Sequence, residues 1–143
     1  MSSFKAFDPS AKLSTPYRAR AAADLGLFAA WALAAMNLFT AGLTVIHPRS
    51  FDTLIGGSPN NYIYTQLAVA ALAVTFALAL RYRPALWLYW SVAVWGAIEA
   101  MPWVTSRIYA HAAVFPLSLV AALFAIQGLR GALALRRLSA SQL

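Results

Sequence analysis

Residues Ala85–Val104 read ALWLYWSVAVWGAIEAMPWV, an apolar run interrupted by a single acid, Glu99. Wound into a helix at about 1.5 Å per residue, a run of this length covers the roughly 30 Å hydrocarbon core of a bilayer. The charged form of a carboxylic acid is costly in hydrocarbon, which makes Glu99 the first candidate for a functional residue.

Working outward, the basic turn Arg81-Tyr82-Arg83-Pro84 separates this run from a second one, about Tyr62–Leu80, with Tyr62 and Tyr64 as interfacial aromatics. Further upstream, Leu25–Ile46 carries no charge and ends at His47-Pro48, where the proline disfavours a helical conformation in the residue before it. Thr15-Pro16 reads as the start of that helix, threonine as N-cap and proline at the first helical position. Downstream, a link with Thr105, Ser106 and Arg107 leads to a fourth run, about Ile108–Leu129, and a basic tail over residues 130–143. The expectation is an all-α bundle of four transmembrane helices, about residues 25–47, 62–80, 85–104 and 108–129, in one domain of 143 residues. Residues 1–15 form a polar tail, and the longest connector, PRSFDTLIGGSPNN, brings Phe51, Leu54 and Ile55 to one face of a short interfacial turn that would serve as a lid.

Composition supports the membrane class. Hydrophobic residues make up 62% of the chain and charged ones 10%, against roughly 25% charged in soluble domains. The absence of cysteine rules out disulfides, thiol catalysis, Fe–S clusters and cysteine-based zinc sites. The first twenty residues are polar and basic, without the short apolar core of a cleavable signal peptide. Four spans put both termini on one side. Lys5, Lys12, Arg18, Arg20, Arg81, Arg83, Arg130, Arg136 and Arg137 share that side, and only Arg49 and Arg107 lie on the other. The positive-inside rule then makes both termini cytoplasmic, in a membrane of the bacterial inner type. This distribution accounts for the net charge of +7 through anionic headgroups. Nucleic acid is not the expected partner, because no stacking or base-reading groups accompany the cations.

Asn37, Thr40, Thr44 and His47 recur at spacings of three and four, and so share one face of the first helix. Ala30, Ala34 and Ala41 flank that face, and in lipid such small and hydroxyl residues mark helix packing; a ligand-lining role for Asn37 and Thr44 is the alternative. The expected topology gathers His47, Glu99, His111, Arg107, Tyr109, Trp95 and Trp103 in one outer layer. Three roles compete for it. In the structural one, Glu99 pairs with Arg107, Arg49 or a histidine, or hydrogen-bonds Asn37 or Thr44, since a buried carboxylate needs a partner or a raised pKa. In the second, Glu99, His47 and His111 anchor a lipophilic ligand, a quinone or lipid, between tryptophan walls, or act in a proton-coupled protein in which a protonated Glu99 gives or takes a proton. In the third, His47 and His111 ligate haem, or with Glu99 a non-haem metal. Trp87, Trp90 and Trp103 read as an interfacial belt, whereas Trp31 and Trp95 read as core, Trp95 one turn from Glu99. No nucleophile–base spacing, Gly-rich phosphate loop or Asp cluster is present, so no catalytic residue is assigned and an enzyme is the less favoured class.

With the spans placed, the layout resembles the DoxX-like group of small membrane proteins. The residues that carry the resemblance are Gly42 and then His47-Pro48 at the end of the first helix, the Phe51…Ile55-Gly56 connector, the Tyr62–Leu80 helix and the Arg81–Pro84 turn. It implies a compact four-helix bundle, and some members resemble subunits of membrane redox complexes that work with quinones. The sterol-isomerase-like four-helix family uses more than one acid in its pocket; here only Glu99 is available. The expected role is a non-catalytic accessory or assembly subunit packed against other membrane subunits.

Overall fold

The chain enters its first helix through a threonine and a proline. The Thr15 hydroxyl accepts a 3.3 Å hydrogen bond from the Arg18 backbone N–H, and Pro16 stands at the first helical position, where a missing N–H costs nothing. The computed structural model describes residues 12–47, 58–105 and 115–141. Among these it forms four α-helices and no strand: α1 (Pro16–Ile46), α2 (Pro59–Tyr82), α3 (Leu86–Thr105) and α4 (Phe115–Ala140).

His47 closes α1, its N–H donating to the Leu43 carbonyl at 2.8 Å. Helix α2 continues through Tyr82, and Arg83 closes it with an N–H to the Ala79 carbonyl. The turn into α3 is therefore shorter than the basic tetrapeptide suggests. The larger difference is in α4. It does not stop at Leu129 but runs through Arg130, Arg136 and Arg137 to Ala140, over most of what was expected to be a basic tail beyond the span. Arginine and leucine are good helix formers, and Leu129, Ala132, Leu133 and Leu135 keep this part of the helix against the core. The stretch 108–114 of the expected fourth span lies outside the described residues.

Helix α1 is the spine. It packs along α2 on one flank and α4 on the other, while α3 leans mainly on α4 and meets α2 only lightly. The α1–α4 seam is antiparallel and nearly bare of side chains: a Cβ on Gly128 would run into the Gly26 backbone, and one on Gly131 into Ala23. Tyr89 of α3 covers the same spot, since a Cβ on Gly26 would meet its ring at 2.8 Å.

Small residues are inside and large ones outside. The buried set is dominated by alanine, including Ala30, Ala34 and Ala41, whereas Phe28, Phe39, Leu72, Ile98 and Leu123 are exposed. A water-soluble domain buries its large apolar side chains first. Helices that associate without a hydrophobic driving force instead approach through small residues. Three helical stretches, Pro16–Ile46, Asn60–Tyr82 and Leu117–Ala140, are long and apolar enough to cross a membrane.

Candidate functional site

The up-and-down course of the chain collects the described basic residues at one end, and a polar layer forms towards the other. Its α1 part is Asn37, Thr40 and Thr44, all buried. Each turns back on its own helix: Asn37 Nδ2 donates to the Leu33 carbonyl at 2.8 Å, and the Thr40 and Thr44 hydroxyls donate to the Met36 and Thr40 carbonyls at 2.9 Å. Satisfied in this way, they can be buried at a helix contact without a ligand. His47 has the spacing of this stripe but is exposed.

Carried along from Gly26 and Gly128, the antiparallel register sets the buried Ser118 of α4 level with Asn37. Gly96 of α3 packs against Ala122 of α4, and the same register brings Glu99 to the level of Ser118. Glu99 is half-buried, and the Trp95 indole Nε1 donates to its Oε1 at 3.1 Å. The indole is itself held from α2, packing edge-on against Phe76 with ring centroids 6.0 Å apart at 71°. Tyr62 of α2 lies within the electrostatic reach of Glu99 and is hydrogen-bonded to Gln66. The layer thus draws on all four helices. Its carboxylate stands on α3, which approaches α2 only lightly.

Several expected partners are not described. His111, Arg49, Arg107, Tyr109, the connector 48–57 and the Trp103 side chain lie outside the described residues. Both the proposed ion pairs of Glu99 and the histidine pair therefore fall there too. Among the described residues, no three His, Asp or Glu side chains converge as a metal site, and no buried side-chain nitrogen or oxygen lacks a partner.

The tryptophans divide differently from the expectation. Trp95 packs against the core, but Trp31, expected there, is 41% exposed. The reason is angular: Ala30, Leu33 and Ala34 occupy the inward face of α1, and position 31 lies about a quarter-turn away from Ala30. Trp87 and Trp90 are exposed, as an interfacial belt requires.

Two features went unnoticed at the level of sequence. Tyr62, bonded to Gln66, comes within the electrostatic reach of Glu99 from α2; the i, i+4 spacing of the pair and the short turn folding α3 back along α2 were the available signals. At the opposite end, the buried Gln127 Oε1 accepts a 2.7 Å hydrogen bond from Arg130 Nη1, an i, i+3 pair that straddles the expected boundary between span and tail. No family model, curated protein or solved structure matches the chain.

Proposed function

We propose that the chain is an integral membrane protein of the bacterial inner membrane, four helices crossing the bilayer with both termini cytoplasmic. Its role is that of a non-catalytic accessory or assembly subunit packed against a larger membrane complex. The larger complex is a quinone-linked redox complex, the class towards which the DoxX-like layout points, or a photosynthetic one.

One observation carries this reading: among the described residues the buried polar groups are bonded within the bundle, and many large apolar and aromatic side chains face outward. Asn37, Thr40 and Thr44 bond their own helix, Glu99 receives the Trp95 indole, and Gln127 receives Arg130. Helix α2, by contrast, turns Tyr64, Leu67, Leu72 and Leu78 outward, a face suited to lipid or a neighbouring helix. Purification from native membranes in a mild detergent tests the role. Co-elution of defined partner subunits in fixed ratio supports it. A single chain, fully stable on its own, counts against it.

A second reading has its own observation. Glu99 receives the Trp95 indole and lies within the electrostatic reach of Tyr62 on α2, a helix that α3 approaches only lightly, so a lipophilic ligand such as a quinone could lie between these two helices with the carboxyl group as polar anchor. Saturable binding of ubiquinone to the purified chain, lost in Glu99→Ala, would favour it over the subunit role.

A further inference from the structure

The end of the bundle that carries the cations also holds a groove. Its walls are the segment Lys12, Leu13 and Ser14, just before the Thr15 cap, and the last turns of α4, with Arg130, Leu133, Ala134, Arg137 and Leu138. The α4 residues follow the spacing i, i+3, i+4, i+7, i+8, so they form a single stripe along the helix. The groove is open on one side and encloses about 540 Å³, within the usual range for small-molecule clefts. Three of its lining side chains are cationic, and none is acidic.

The chemistry is two-sided. Lys12, Arg130 and Arg137 supply positive charge, and Ser14 supplies a hydroxyl. Leu13, Leu133, Ala134 and Leu138 supply an apolar wall between them. Arginine forks match the paired oxygens of a phosphate, and lysine adds a compact point charge. The 2.7 Å bond from Arg130 Nη1 to the buried Gln127 fixes that guanidinium on the rim. Beyond the groove, the apolar exterior of the bundle begins.

We infer that this groove binds the headgroup of an anionic phospholipid, its phosphodiester held by Lys12, Arg130 and Arg137 and the upper part of an acyl chain lying on Leu133 and Leu138. The inference rests on the membrane reading, in which this end meets the cytoplasmic leaflet where anionic lipids concentrate. The apolar wall is what selects a lipid over a free anion. A soluble phosphate would gain nothing from it.

The test uses the full chain purified in dodecyl maltoside, with bound lipid counted by native mass spectrometry and stability followed by thermal unfolding. Dioleoyl phosphatidylglycerol is titrated against dioleoyl phosphatidylcholine and inorganic phosphate. The expected result is saturable binding of phosphatidylglycerol with a raised unfolding midpoint, and little effect from the other two. Arg137→Gln and Lys12→Gln should each weaken phosphatidylglycerol binding about fivefold, the scale of one surface cation near anionic lipid. Arg83→Gln removes a charge at the same end but outside the groove, and should leave binding unchanged. Equal binding of both lipids, equal loss in Arg83→Gln, or equal stabilisation by inorganic phosphate would each overturn the site. Whether the chain resists extraction by alkaline carbonate is read separately, so failure of the groove is distinguishable from failure of the membrane assignment.

Discussion

Trp95 and Glu99 stand one turn apart on α3, and the indole Nε1 of the first donates to the carboxyl Oε1 of the second at 3.1 Å. The acid that draws attention in the sequence is thus held from its own helix. Trp95→Phe keeps an aromatic ring against Phe76 but removes the donor, and should lower stability by about 1 kcal/mol, the net scale of one intramolecular hydrogen bond. Glu99→Gln retains an acceptor oxygen and should cost less than Glu99→Ala. Combined with Trp95→Phe, Glu99→Ala should add little beyond the single change, because both remove the same bond. Unfolding midpoints in detergent measure this cycle, and strictly additive losses would mean the pair is not coupled.

The two ends of glycine tolerance lie within one bundle. A Cβ at Gly128 has no room beside the Gly26 backbone, whereas Gly42 has nothing within 4 Å. Gly128→Ala should force α1 and α4 apart and cost roughly 1–3 kcal/mol, as overpacking does. Gly42→Ala should be neutral or stabilising by up to about 1 kcal/mol, since alanine is the better helix former. The same thermal assay reads both, and a Gly128→Ala chain as stable as the parent would contradict the close seam.

Thr15 caps α1 through its hydroxyl. Thr15→Ala should cost about 1 kcal/mol, while Thr15→Ser, which preserves the acceptor, should stay near the parent. Hydrogen exchange at the Arg18 amide gives a local readout, with faster exchange expected in the alanine variant alone.

Leu72 faces outward from α2. In a water-soluble bundle Leu72→Lys would be harmless or helpful. In a span it should oppose insertion by about 2.5–3.5 kcal/mol near the helix centre, visible as a reduced membrane-integrated fraction. Full integration of the lysine variant would argue that this face does not meet lipid.

The helices were legible where charge is absent and where local chemistry marks an end. Leu25–Ile46 has no ionisable side chain, Thr15-Pro16 announces a start, and His47-Pro48 a stop, so α1 could be read almost to the residue. Helix α4 was not, because arginines at positions 130, 136 and 137 look like the end of a span although arginine extends a helix well. A hydropathy break is not a helix break. The Gly26–Gly128 seam escaped for a different reason: glycine inside a helix reads as a weakness until a second backbone is known to pass against it. Of the candidate site, the Trp95–Glu99 bond follows from i, i+4 spacing, whereas the approach of Tyr62 and Gln66 depends on how α2 and α3 pack. Trp31 shows the converse limit. Depth along a helix was evident, but its direction depended on which face the alanines claimed.

The most direct measurement is side-specific labelling of single cysteines, made straightforward because the chain has none of its own. Cysteine is placed in turn at Ser58, Arg83 and Ser141, each exposed at or beyond a helix end, and treated with a membrane-impermeant maleimide in spheroplasts and in inverted vesicles. Four crossings with cytoplasmic ends require position 58 to label only in spheroplasts, and positions 83 and 141 only in inverted vesicles. Labelling of positions 58 and 83 from the same side would show that α2 does not cross the membrane, and the proposed architecture would fall with it.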